Sequence, residues 1–237
     1  KEDHISQIPA LMMLEKLGYT YLTPAEAMEL RGGNASNVLL EPILREQLAK
    51  INTVQVSSQR TTVFSEQNIT AGIEALKNLP MAEGYMTASQ VAYDLLTAGK
   101  TLEQIVDGDK KSYVMQYIDW KHIENNAFHV TEEFAVSRTG MSDTYRPDIV
   151  LFVNGIPLCV IECKRPDIKD SLKQAISQHL RNQKEDGIRS LYVYSALLLA
   201  TNVNEVTYAT TATPEKFWSK WTEQFADKNA EELYRYK

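Results

Sequence analysis

Three charged side chains stand at the ends of two apolar runs. Asp148 follows Pro147 and opens the run Ile149-Val150-Leu151-Phe152-Val153. Glu162 and Lys164 alternate around Cys163 at the end of a second run that begins at Ile156, and Asn154-Gly155 separates the two. Asn-Gly between apolar segments is a strong hairpin signal, so the charges are expected at the open end of two antiparallel strands. Side chains alternate along a strand. Leu158, Val160, Glu162 and Lys164 therefore share one face, and Cys159, Ile161 and Cys163 share the other. Cross-strand neighbours lie roughly 5 Å apart at Cβ, where two carboxylates repel unless a cation sits between them. Mg²⁺ suits such a place, because it favours oxygen ligands and keeps several waters. A metal held there acidifies a bound water and offsets charge on a phosphodiester oxygen. Asp148 and Glu162 are candidate ligands, with the backbone carbonyl of Cys163 as a third. Lys164 is placed to orient or deprotonate the water, or to stabilise a pentacovalent phosphorus. The bland alternative is a structural hairpin with surface charges. Glu-x-Lys alone is common, but its combination with Pro-Asp and an apolar hairpin is much rarer.

Register makes the shared site conditional. A two-residue turn pairs Val153 with Ile156 and leaves Asp148 opposite Ile161, on the wrong face from Glu162. An offset of one residue brings Asp148 opposite Glu162. A three-residue loop over residues 154–156 provides that offset, as does a β-bulge near Pro157, which cannot donate to the ladder. One of these is expected.

The elements that must position the site divide the chain unevenly. With 237 residues and 43% apolar composition, the chain is long enough for one large α/β domain over residues 1–237. Residues 1–110 read as a mostly helical layer. Helices are expected near residues 11–17, over 24–30 behind the capping box at Thr23, over 38–51 with Pro42 delaying the start or kinking it, over 66–78, from 87 to Gly99, and over 102–106. Residues 111–212 read as the catalytic core with a mixed sheet. Strands are expected at 113–118, 128–130, 134–136, 190–195, 197–201 and 206–210, with a helix over 172–186 capped by Ser171 and stopped by Gly187. Residues 213–237 read as a last amphipathic helix with Phe217, Trp218, Trp221 and Phe225 in the core. The alternation of elements indicates a mixed sheet flanked by helices.

Pro147-Asp148…Glu162-Cys163-Lys164 resembles the PD-(D/E)xK nuclease superfamily. Tyr117-Ile118-Asp119-Trp120, Asn125-Asn126-Ala127-Phe128-His129-Val130, Glu133-Phe134, the run from Arg146 to Pro157 and Ile161-Glu162-Cys163-Lys164 narrow the resemblance to the N-terminal nuclease region of type I restriction enzyme R subunits. It covers residues 113–200 well and the earlier residues loosely. The resemblance implies a restriction-endonuclease-like core and Mg²⁺-dependent cutting of double-stranded DNA, with Asp148 and Glu162 as ligands and Lys164 as catalytic lysine. It implies modification and specificity subunits as partners, and an ATP-driven motor that follows in the same polypeptide. The family also carries Gln-x-x-x-Tyr on the next helix. Gln178 fits the glutamine, whereas Asn182 stands where the tyrosine is expected, one turn away on the same face. Both are candidate DNA contacts, with Arg165, Lys173 and Arg181. Lys169 and Lys184 add local positive charge among Asp167, Asp170, Glu185 and Asp186, so a solvated helix explains the pattern equally well.

Other features bound the reading. The net charge of −6 argues against a sequence-independent DNA binder, which is usually basic, and confines any basic face to a local patch. No Gly-x-x-x-x-Gly-Lys-Ser/Thr occurs, so this chain carries no P-loop of its own; the resemblance assigns ATP to the motor that follows in the family. No apolar run is long enough to cross a membrane, and no signal pattern precedes the first residues, Lys-Glu-Asp-His. The missing initial Met suggests a piece of a longer chain. Cys159 and Cys163 lie roughly 13 Å apart along one strand, beyond disulfide reach, which points to reduced thiols and the cytoplasm. His4, His122, His129 and His179 form no zinc pattern and are expected as surface or packing residues. Glu41, Glu46 and Glu74 are candidates for a further acid from an early helix. Two rivals remain: a stand-alone repair or recombination nuclease of the same superfamily, and a non-catalytic DNA-binding or assembly module.

Overall fold

A seven-stranded mixed sheet lies at the centre of the structure, a computed structural model that describes residues 7–57, 60–202 and 204–222. Helix α1 (Ile8–Lys16) turns Leu11 and Leu14 toward the sheet and leads to Gly18, at φ +98°. Strand β1 (Thr20–Leu22) follows. Thr23 and Glu26 then cap each other's backbone at the start of α2 (Pro24–Glu29). Helix α3 (Glu41–Ile51) begins late, with Pro42 in its first turn, where a missing N–H is tolerated. Strands β2 (Thr53–Ser57) and β3 (Arg60–Val63) form a hairpin before α4 (Glu66–Lys77) and α5 (Tyr85–Ala98). A second hairpin, β4 (Lys100–Val106) with β5 (Asp109–Met115), stands apart from the main sheet.

The site-bearing half continues with β6 (Phe128–Glu132), the short pair β7 (Val136–Ser137) and β8 (Thr144–Tyr145), β9 (Ile149–Val153) and β10 (Ile156–Cys163). Helices α6 (Ser171–Asn182) and α7 (Arg189–Tyr192) connect these to β11 (Leu197–Thr201), β12 (Val206–Ala209) and β13 (Ser219–Lys220). The sheet order is β1-β6-β9-β10-β11-β12-β13. The β1/β6 and β10/β11 pairs are parallel and the others antiparallel. Each face buries its own core. Val150, Phe152, Ile156, Val160 and Leu198 face α3, α4 and α5, together with α7. Val130, Ile149, Leu151, Cys159, Ile161 and Cys163 pack on the other side against Leu11 of α1. This arrangement is the expected mixed sheet flanked by helices, a restriction-endonuclease-like fold.

Several local expectations are corrected. Residues 102–106 are strand, because Asp107-Gly108 forms a tight turn with both residues at positive φ (54° and 88°). Residues 1–115 thus hold two hairpins, and β1 joins the main sheet. The strand character at 113–118 ends at Met115 and belongs to the separate hairpin. Residues 134–136 give only the two-residue β7. Residues 190–195 hold α7 and the turns after it in place of a strand. A short apolar run fits a buried helix turn as well as a strand. Helix α6 begins behind Asp170, at φ 55°, and ends at Asn182. Thr213-Pro214-Glu215 opens only the 3₁₀ turn Glu215–Phe217, followed by β13. Phe217 and Trp221 are exposed. The remainder of the expected last helix, including Phe225, lies outside the described residues.

Candidate active site

The hairpin resolves the register question by combining a two-residue turn with a bulge. Asn154 and Gly155 both take positive φ, 53° and 80°, and Val153 pairs with Ile156 and Phe152 with Pro157. The ladder then skips Leu158, so that Cys159 pairs with Leu151 and Ile161 with Ile149. One step further places Asp148 opposite Glu162. The turn is anchored from outside. Buried Asn154 donates to Tyr117 O (2.9 Å) and Asn126 Oδ1 (2.8 Å) and accepts from Ala127 N–H (2.8 Å). Leu40 N–H donates to Gly155 O at 2.9 Å. A Cβ on Gly155 would stand 2.6 Å from Leu40 O, so glycine is required for this approach as well as for its φ.

At the open end, the Asp148 carboxylate replaces a ladder bond. Its Oδ2 accepts from Cys163 N–H at 2.7 Å and lies 3.5 Å from Lys164 Nζ. Its backbone carbonyl accepts from Glu133 N–H and from Gln7 Nε2, both at 3.0 Å. Gln7 also donates to Glu132, which Tyr21 holds from the other side. Lys164 Nζ donates to Cys163 O at 2.8 Å. The ammonium therefore spans the Asp148 carboxylate and the carbonyl considered as a ligand. The Asp148 and Lys164 side chains remain 15% and 12% exposed, whereas Glu162 is fully buried. Burial, and then the Asp148 charge, raise the Glu162 pKa well above the ordinary carboxylate range, against the opposing pull of Lys164 and Arg181. Its Oε1 accepts from Asn182 Nδ2 at 3.3 Å, and among the described residues its buried Oε2 meets no hydrogen-bond donor. Two carboxylates at one strand end, one with an orphaned buried oxygen, form an oxygen-only donor set that fits a hard divalent cation. Among the described residues no third His, Cys, Asp or Glu side chain joins them.

The other predicted residues separate. Asn182 was expected as a DNA contact, yet it is fully buried, because α6 ends against β10 and its amide meets Glu162. Gln178 is half-buried on α6 and engages no hydrogen-bond partner among the described residues. Arg181 is exposed; its guanidinium lies 4.3 Å over the Tyr145 ring and donates to Asn182 Oδ1 at 2.9 Å. Arg165 donates to Asp167 at 2.9 Å, and Lys173 is exposed. Glu41 and Glu74 both pair with Lys77, at 3.3 and 3.1 Å, and Glu46 is exposed on α3. Helix α3 begins at the Gly155 turn, and five strand residues separate that end from Asp148 by roughly 17 Å. None of these acids stands at the site end.

Two residues beside the site carried no functional expectation. His179, expected as a surface or packing residue, is fully buried, with Nδ1 at 3.0 Å from the Tyr192 hydroxyl and Nε2 at 2.9 Å from Leu199 O. Burial holds its pKa down at about 4. Tyr192 of α7 lies 3.3 Å from Asn182 Nδ2. Only polar and aromatic types inside apolar surroundings could have signalled them. Both cysteines are buried, and neither forms a disulfide among the described residues. Burial raises Cys159 to about 12, and Cys163 turns its thiol into the opposite core, as side-chain parity required.

Comparison with known proteins bears on the same geometry. Residues 1–217 match the family described as type I restriction enzyme R protein N terminus. The HindI type I restriction enzyme endonuclease subunit of Haemophilus influenzae is 29% identical over 208 residues, which is 85% of this chain and 18% of that protein. Two proteins of Methanocaldococcus jannaschii, named as the MjaIXP and MjaVIIIP endonuclease subunits, are 25% and 31% identical over 93% and 78% of the chain. The chain spans only about a fifth of the length of these relatives, 20% and 16% for the M. jannaschii pair.

Proposed function

Because the chain belongs to the family of type I restriction enzyme R protein N termini, we propose that it is the Mg²⁺-dependent endonuclease part of an ATP-dependent restriction complex acting on double-stranded DNA. The observation that carries this reading is the bulged hairpin. It sets Asp148 opposite the buried Glu162, with Lys164 beside them. Asp148, Glu162 and the Cys163 carbonyl would hold the cation, which when bound offsets charge on the scissile phosphate and acidifies a water. Glu162 supplies a fixed carboxylate, since burial removes its freedom to swing. Asp148, partly exposed and clamped through its own backbone, supplies the second. Lys164 carries its positive charge on the accessible side. From there it orients the attacking water and stabilises charge developing on the phosphoryl oxygens.

The partners in this reading are duplex DNA and the modification and specificity subunits, with ATP used by a motor elsewhere in the polypeptide. The test is restriction by the full complex carrying Lys164→Ala, with ATP hydrolysis measured alongside. The expected outcome is a loss of cleavage of at least about 100-fold with ATP hydrolysis retained. Loss of both activities would mean that the hairpin has a structural role only.

A further inference from the structure

We infer that a one-directional hydrogen-bond relay, Leu199 carbonyl–His179–Tyr192–Asn182, positions Glu162 for metal binding, so that Tyr192 and His179 are positioning residues of the site. The inference rests on the metal-site reading above. Its direction follows from which groups can only donate or only accept. The Leu199 carbonyl can only accept, so His179 donates to it from Nε2, at 2.9 Å. Neutral His179 therefore offers Nδ1 as an acceptor, and the Tyr192 hydroxyl, 3.0 Å away, must donate to it. With its proton so committed, the hydroxyl oxygen is an acceptor for Asn182 Nδ2 at 3.3 Å.

The amide orientation of Asn182 is fixed from the other side. Arg181 can only donate, and its Nε and Nη2 lie 3.2 and 2.9 Å from Asn182 Oδ1. The amide nitrogen must then face Tyr192 and Glu162, giving one hydrogen to each. Each link leaves the next a single choice. The last link occupies Glu162 Oε1 and leaves Oε2 without a donor among the described residues. Every side chain in the relay beyond Arg181 is buried, so water does not compete for these bonds. Outer-shell partners of this kind fix ligand orientation, and their removal typically weakens metal binding by roughly 10- to 100-fold.

The test compares Mn²⁺ affinity by calorimetry for the 237-residue chain and its variants Glu162→Gln, Asn182→Leu, Tyr192→Phe and the double variant, with melting temperature recorded for each. Tyr192→Phe removes a single oxygen and keeps the packing. The expected result is about tenfold weaker binding for Asn182→Leu and several-fold weaker for Tyr192→Phe. The double variant should be no weaker than Asn182→Leu alone, because both act through one chain of bonds. Wild-type affinity in Tyr192→Phe, or additive losses in the double variant, would overturn the relay while Glu162→Gln still showed the metal site. Equal binding by wild type and Glu162→Gln would overturn the metal site itself, and the relay with it. A metal-free readout is the ¹⁵N resonance pattern of His179. The Nε2–H tautomer is expected, and the Nδ1–H tautomer would reverse the first link and refute the relay.

Discussion

A buried histidine held neutral has a measurable energetic signature. His179 is fully enclosed, and desolvation lowers its pKa from 6.5 to about 4. On acidification the unfolded chain takes up this proton near its ordinary pKa, and the folded chain does so only near 4. Stability is therefore present above the unfolded value and is lost as pH falls toward the folded one. Between about pH 7 and about pH 5 the loss amounts to about 2 kcal/mol. Glu162 works in the opposite sense, since its raised pKa favours the folded state at low pH and withdraws that support as pH rises. His129 is also pulled down by burial and adds to the histidine effect. Comparison with His179→Gln isolates the one group. Urea denaturation of both chains across this range should show the wild-type advantage shrinking by about 2 kcal/mol toward acid. Parallel curves would mean that His179 titrates as if exposed.

At the scale of elements, the hairpin depends on one surplus residue. Leu158 is skipped between the Pro157 and Cys159 pairings, and this brings Glu162 opposite Asp148. Deleting Leu158 removes the bulge and leaves every other pair in place. The deletion should therefore keep Mn²⁺ affinity within about threefold while lowering stability by about 1–2 kcal/mol for the lost apolar contact. Loss of metal binding would show that the bulge shapes the site beyond setting its register. Much of this element was legible beforehand. Alternation fixed the faces of Glu162 and Cys163, and the mismatch between a two-residue turn and a shared site demanded an offset. The hairpin at Asp107-Gly108 carried the same turn chemistry as Asn154-Gly155, yet its flanking residues are mostly polar and exposed, so the apolar pattern that marks a strand was faint. Tyr192 was illegible for a different reason. Ser190 to Ser195 reads equally as strand or buried helix, and only the tertiary placement of α7 beneath α6 brings its hydroxyl to Asn182. The role of Asn182 was hidden likewise. Its position on α6 was readable, whereas its burial against β10 depends on how the helix crosses the sheet.

At the scale of the molecule, the proposed function asks an acidic chain to bring its site to a polyanion. With a net charge of −6, long-range attraction to DNA would be weak, and on the proposed reading binding would rest on local contacts, for which α6 is the candidate. Lys173 is exposed on that helix, and Arg181 stands over Tyr145 at the other end of it. Each phosphate contact that releases a counterion steepens the dependence of affinity on salt by about one unit of slope. Binding of a metal-free duplex, followed by fluorescence anisotropy across a salt series, measures that slope directly. Lys173→Ala should flatten it by about one unit. Lys110→Ala, on the separate β4–β5 hairpin where the side chain pairs with Glu103, should leave it unchanged. If both variants share the wild-type slope, the duplex does not run along α6. In either case the affinity of the chain alone should fall in the weak, non-specific range of about 10⁻⁴ to 10⁻⁶ M at physiological salt. An acidic surface that touched DNA at only a few points would not hold it for long. Cleavage would then depend on partners that keep the duplex against Asp148, Glu162 and Lys164 long enough for the chemistry to occur.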